Sequence, residues 1–124
     1  MKLRTLFIVG AVVALIYAAG LLIIPGTMNT LYGLGASSSE KLLARFFGVD
    51  LLIIGLILWL GRDLNSVSSR PIVTASLIGN VAGFIVSAVG TLRGTMNGFG
   101  WSAALIYLLL AIGFAYHQFM APAK

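Results

Sequence analysis

The chain has 124 residues, of which 60% are hydrophobic and only 9% charged, and its mean hydropathy is +1.06; a water-soluble domain covers itself with about 25% charged residues, so this composition excludes one. Eight Lys and Arg against three Asp and Glu give a net charge of +5, but the basic residues stand singly between apolar runs and offer no clustered face to nucleic acid. The absence of cysteine removes disulfides, thiolate metal sites and thiol relays, and a single histidine leaves no bis-imidazole haem site within the chain.

A helix needs about 20 residues to cross a hydrocarbon core about 30 Å thick. Leu3–Ile24, Lys41–Leu60, Pro71–Leu92 and Trp101–Phe119 meet that requirement, and their interruptions are too short for a separate soluble domain. Backbone polar groups in lipid must be satisfied within each segment. Residues 1–124 therefore read as a single four-helix membrane domain: an all-α integral membrane protein built as an antiparallel four-helix transmembrane bundle.

The first segment opens Met1-Lys2-Leu3-Arg4, as a signal peptide would. Its apolar run continues through Leu21, Leu22, Ile23 and Ile24, beyond a usual h-region of about 7–15 residues, without a convincing small-residue cleavage site, which predicts a retained span. Pro25 and Gly26 close it. The following stretch to Ser39 carries Met28, Leu31, Tyr32 and Leu34 and reads as a surface loop with an apolar underside, in preference to a re-entrant cap. Ser37-Ser38-Ser39-Glu40 predicts a capping box with Ser37 as N-cap and Glu40 at N3, opening the second helix. Gly61 ends that helix, and Pro71 suits the first turn of the third. In the fourth, His117 reads as a C-terminal cation favoured by the helix dipole. Asn29 and Asn97 fall in loops and suit turn chemistry.

Four spans put both termini and the middle connection on one side. That side holds Lys2, Arg4, Arg62, Arg70 and Lys124, and the other holds Lys41, Arg45 and Arg93. The positive-inside rule then predicts the cell inner (plasma) membrane with both termini cytoplasmic. Trp59, Trp101 and Tyr116 fall at span ends, where amphipathic rings are expected. Gly26-Thr27-Met28-Asn29 recurs as Gly94-Thr95-Met96-Asn97 after the third span; both copies fall on the same side, so a duplication would give parallel repeats about an axis along the membrane normal.

Small residues that let backbones approach are the packing signal in lipid. The third span places Ala75, Gly79, Gly83, Ser87 and Thr91 at successive i+4 positions, with Gly79 and Gly83 framing a G-x-x-x-G, so Gly79, Gly83 and Ser87 are assigned to helix packing. Gly10, Ala14 and Ala18 of the first span offer a matching surface.

The polar residues inside the spans are the candidates for function. Asp50 stands about 15 Å from either end of its helix, at the midplane, where a carboxylate costs about 2.5–3.5 kcal/mol and is expected to face the bundle interior and pair or protonate. Asn80 lies at a matching depth and Tyr17 near it, which makes a Tyr17–Asp50–Asn80 layer a candidate ligand or proton site. Arg45, five positions before Asp50 and about 140° around the helix, is poorly set for an i+4 bridge; snorkelling to headgroups is one reading, and an inward or anion-binding role is the other. No nucleophile–base constellation, phosphate-binding glycine loop or metal-ligand spacing occurs, so no catalytic residue, metal or cofactor is assigned.

The run from Ala44 to Trp59, with Arg45 near the helix start, Gly48, and Gly55 seven residues later, resembles the second-helix signature of small prokaryotic four-span proteins of the DoxX-like group. Pro25 after the first helix fits the same pattern, and the likeness covers about the first half of the chain. The resemblance implies a four-span membrane protein with links to quinone-coupled respiratory chemistry.

Three functions are weighed. The first, preferred, is an accessory subunit or a bundle that binds an apolar ligand, a quinone or lipid, with its polar site at Asp50. The second is a proton-coupled small-molecule transporter working as a homodimer; small multidrug-resistance transporters have this length, but their carboxylate lies in the first helix, which has none here. The third is an integral membrane enzyme, against which the thin polar inventory counts. The expected partners are the lipid bilayer, a membrane protein or second copy, and an apolar small molecule, with no nucleic acid.

Overall fold

The computed structural model describes residues 2–120, so Lys124, counted above for sidedness, lies outside the described residues. Five helices follow one another: α1 (Leu3–Ile23), α2 (Pro25–Leu31), α3 (Ser38–Leu60), α4 (Arg70–Leu92) and α5 (Gly100–Phe119). All but α2 are long and apolar enough to cross a membrane. The predicted boundaries hold to within a few residues, because the stop and start chemistry is local. Glu40 N donates to Ser37 Oγ at 3.3 Å while Ser37 N donates to Glu40 Oε1 at 3.2 Å, which closes the capping box that opens α3. Gly61 ends α3, and Pro71 stands in the first turn of α4.

The helices associate as two pairs. α1 lies along α3, α4 lies along α5, and α1 against α5 is the main link between the pairs; α3 and α4, though consecutive, do not pack along each other. Glycines set the approach of α1 and α3. A Cβ at Gly48 would stand 3.0 Å from Leu21 Cβ, and one at Gly55 would stand 2.7 Å from Leu15 Cγ. A Cβ at Gly10 would meet Leu58 Cδ1 at 3.0 Å, so contacts descend α1 as they climb α3. Gly83 admits the Tyr107 ring between α4 and α5, where a Cβ would come within 2.5 Å of Tyr107 Cδ1.

At the end marked by the 61–69 connection all four long helices converge. Leu6, Phe7 and Ala11 of α1, Leu58 of α3, Val73 of α4 and Phe114 of α5 form one buried cluster, with the Phe7 and Phe114 rings 6.1 Å apart. Arg4 donates to Asp63 Oδ1 at 2.8 Å, and the Arg62 guanidinium lies 4.2 Å from the Trp59 ring centre. Arg70 reaches the Gln118 carbonyl at 3.1 Å, covering one of the carbonyls left open in the last turn of α5.

Outward faces are mostly apolar, with Ile16 66% exposed, Ile78 65% and Val86 70%, and on α3 they also carry the exposed Arg45 and Asp50. Away from the buried Leu6–Phe7–Phe114 cluster, the packed face of α1 is mostly small, as with Gly10, Ala11, Ala14 and Ala18. Surfaces of this kind suit lipid, where close backbone approach holds helices together.

Three sequence expectations are corrected here. Gly79, assigned to helix packing with Gly83 and Ser87, has no atom within 4 Å of a would-be Cβ and is exposed, while Gly83 and Ser87 do pack. An i+4 row drifts about 40° around the helix at each step, so Ala75 and Gly79 rotate away from the face that Gly83 and Ser87 present. The small-residue surface of α1 meets α3 through Gly10, not the ridge of α4, which pairs with α5 instead. The stretch after Pro25, expected as a surface loop, is the helix α2 folded back against α1 and α3. Pro25 presets its first turn, and Pro25, Asn29 and Tyr32 are buried with Met28 half-buried, an i, i+3, i+4, i+7 face turned inward.

Candidate functional site

Tyr17, Asp50 and Asn80 are not hydrogen-bonded to one another. Asp50 is exposed. It lies about 200° around α3 from Gly48 and about 140° from Gly55, the two residues that seat α3 on α1. Counting residues gives its height along the helix but not its direction around it. Asn80 Nδ2 donates to the Ser76 carbonyl one turn earlier, at 2.7 Å, and Tyr17 turns to a different tyrosine. Arg45 is exposed and points its Nε at the Leu22 carbonyl, 3.5 Å away, over the open last turn of α1. It makes no ion pair with Asp50 among the described residues.

Tyr17 meets its polar partner at the α2 end of the molecule. The Tyr17 and Tyr32 hydroxyls are 2.6 Å apart, and the Tyr32 ring stands against Phe99, with centres 4.9 Å apart and planes tilted 58°. Between them opens a cleft of about 330 Å³ lined by Ile16, Tyr17 and Gly20 of α1, Met28 and Leu31 of α2, and Tyr32 and Phe99. Gly20 makes room for α2 to lie down, since a Cβ there would be 2.8 Å from Met28 Sδ.

Two asparagines hold this end in shape. Asn29 is buried in α2; its Nδ2 donates to the Gly35 carbonyl at 3.0 Å and the Glu40 carbonyl at 3.4 Å, and its own carbonyl accepts from Leu34 N at 2.8 Å. It thereby folds the 32–37 connection back onto the start of α3. Asn97, between α4 and α5, donates from Nδ2 to the Leu31 carbonyl at 3.1 Å and from its backbone N to the Tyr32 carbonyl at 2.9 Å. Its Oδ1 accepts from Phe99 N at 3.0 Å. Gly33 permits that approach: its φ of +75° is in the left-handed region, and a Cβ would crowd Asn97 Cβ at 3.1 Å.

Both asparagines close the recurring Gly-Thr-Met-Asn tetrapeptide, and the methionines also act alike. Met28 rests on Gly20 of the preceding helix, and Met96 on Gly90 of α4 and Gly100 of α5. The backbones differ, because the first copy is helical while Gly94 opens the second in a turn at φ +79°. The turn role expected of Asn97 holds through Phe99, but its larger effect is to tie the α4–α5 connection to α2. Tyr32, Met28 and Phe99 had no place among the predicted site residues. The signal for the first two was the 25, 28, 29, 32 spacing, masked by the polar Asn29 in its middle.

Chemically the cleft is an apolar hollow with one hydrogen-bonded pair of phenols. Among the described residues no three His, Cys, Asp or Glu stand close enough to hold a metal ion. In the phenol pair one hydroxyl donates to the other, so one O–H is left to offer. Comparison of the chain with protein-family models, with curated proteins and with solved structures finds no match. The DoxX-like resemblance accordingly rests on the sequence pattern of α3 and Pro25.

Proposed function

We propose that this protein is an antiparallel four-helix bundle of the cell inner membrane, with both termini cytoplasmic, that binds an apolar small molecule in the cleft between Tyr17, Met28, Tyr32 and Phe99. The reading rests on one observation: an open apolar hollow of about 330 Å³ whose polar element is the Tyr17–Tyr32 hydroxyl pair. That volume is at the lower end of small-molecule sites, about 300–1,000 Å³. It accommodates a ring or head group while an attached chain leaves through the open side. The free O–H of the pair seeks an acceptor, so the favoured ligand carries a carbonyl or ester oxygen on an apolar body, chemistry shared by quinones and acyl lipids. The apolar outer faces of the four long helices, and basic residues at the helix ends, support the membrane placement.

The test is binding to the purified protein in mild detergent, with a short-chain benzoquinone and a diacyl phospholipid as separate probes, read by native mass spectrometry and saturable titration. One probe is expected to bind at one per chain. Replacing Ile16, 66% exposed at the cleft, by Trp should abolish binding without disturbing the core. The double substitution Tyr17→Phe, Tyr32→Phe should weaken it roughly tenfold, the value of one net hydrogen bond of about 1.4 kcal/mol. Binding that survives Ile16→Trp unchanged would sink the assignment of this cleft.

A further inference from the structure

Asp50 has a chemistry that the cleft does not use. It is the thirteenth residue of α3, with ten more to Leu60, and it is exposed with no hydrogen bond or ion pair among the described residues. A carboxyl left bare at that height in hydrocarbon is expensive, and such residues in spans face protein or water. None of the seven described Lys and Arg lies at mid-height in any long helix; Arg45, the deepest, is turned to the Leu22 carbonyl. Among the described residues there is therefore no mid-height cation that a copy of the chain could bring to Asp50.

A second copy does bring another Asp50. A two-fold axis along the membrane normal sets the same residue of both copies at the same height. A carboxyl in its acid form is self-complementary, since its O–H donates and its C=O accepts, so two of them close a pair of hydrogen bonds across such an axis. The flanking surface fits that partner. Leu43, Phe46, Ile54 and Ile57, at i−7, i−4, i+4 and i+7 from Asp50, lie within about 40° of it around the helix, and they are 68%, 61%, 47% and 47% exposed. We propose that α3 is the dimer helix of this protein, pairing with α3 of a second copy through this stripe, with the two Asp50 carboxyls hydrogen-bonded to each other at its centre. The proposal rests on the membrane placement given above and is independent of what the cleft binds.

The chain has no cysteine, so single cysteines report cleanly. Full-length Phe46→Cys and Ile54→Cys proteins in phospholipid vesicles should be trapped as disulfide dimers by mild oxidation. Leu52→Cys, about 200° around α3 from Asp50, should stay monomeric. In the Ile54→Cys background, Asp50→Leu should lower the dimerisation constant roughly three- to thirtyfold, the range measured for polar pairs between membrane helices. Asp50→Asn, whose amide also both donates and accepts, should keep most of the dimer. An alkaline carbonate wash of the vesicles separates the two ways to fail. Protein released by the wash overturns the membrane placement itself; protein retained but not trapped at positions 46 and 54, trapped equally at 52, or indifferent to Asp50→Leu overturns the dimer alone. Retained protein that is monomeric yet held to a different membrane helix through Asp50 overturns it equally.

Discussion

Asn97→Ala isolates the clamp between the α4–α5 connection and α2. The substitution removes the bond from Nδ2 to the Leu31 carbonyl at 3.1 Å and the bond from Phe99 N to Oδ1 at 3.0 Å, and it spares the backbone bond from Asn97 N to the Tyr32 carbonyl. Both lost bonds are at the surface, where each contributes about 0.5–1 kcal/mol net. Together they amount to about 1–2 kcal/mol of local opening, or a five- to thirtyfold rise in the opened population. Asn97→Asp keeps the acceptor for Phe99 but loses the donor to Leu31, so it should cost about half as much. Hydrogen–deuterium exchange in nanodiscs reads this directly. Amides of 25–36 and 94–100 should exchange five- to thirtyfold faster in Asn97→Ala, with those of α1 and α3 below the cleft unchanged. Gly33→Ala reaches the same clamp from the other side. It imposes a side chain at φ +75°, which costs about 1–2 kcal/mol, and crowds Asn97 Cβ at 3.1 Å. Because both changes act on one contact, the double variant should cost less than the sum of the singles. Unaltered exchange in 25–36 after Asn97→Ala would mean that Asn29 alone holds α2 down, and the clamp argument would fail.

The two glycines of the α4 G-x-x-x-G should part company: Gly79→Leu meets open space and should leave thermal unfolding in detergent within about 0.5 kcal/mol of the parent, whereas Gly83→Leu drives into the Tyr107 ring and should cost about 1–3 kcal/mol or more. Equal effects would remove the α4–α5 contact from the account. Gly55→Val should separate α1 from α3, because a Cβ there already meets Leu15 Cγ at 2.7 Å; the expected cost is again about 1–3 kcal/mol, and a smaller companion change, Leu15→Ala, should recover part of it. At the other end, the hydrogen bond from Arg4 holds the Asp63 carboxyl below the usual aspartate range. Its folded value is thus lower than its unfolded one, so the contribution is present in full at neutral pH and is lost as pH falls below about 4. The pair is solvent-exposed, so the effect is small and should fade at high salt. Asp63→Asn should remove this acid-dependent loss, and a variant that titrates like the parent would show that the pair contributes nothing.

The four long helices are legible because length and hydropathy alone specify them, and the start of α3 is legible because a capping box is a four-residue event. What periodicity could not supply is direction around each helix. In a water-soluble helix the polar side marks the surface; here Ile16, Ile78 and Val86 are exposed while Ala11 and Ala18 are buried, so inward and outward faces are both largely apolar and hydropathy carries little sidedness. Residue size carries it instead. Ala44, Gly48, Gly55 and Leu58 are the buried residues of α3, and three of the four are the smallest side chains in that helix. Taken as the contact stripe, they place Asp50 about 200° from Gly48, outside the bundle, from spacing alone. Asp50 and Asn80 share a height, but equal height does not bring together two residues on helices that do not pack along each other. α2 escaped for the opposite reason: its inward face contains Asn29, whose burial is made affordable only by the Gly35 and Glu40 carbonyls that its amide reaches. A polar residue satisfied by backbone a few residues downstream looks, in sequence, like a loop residue. The cleft stayed hidden with it, because Tyr32 and Phe99 meet only after Asn97 has tied the two connections together.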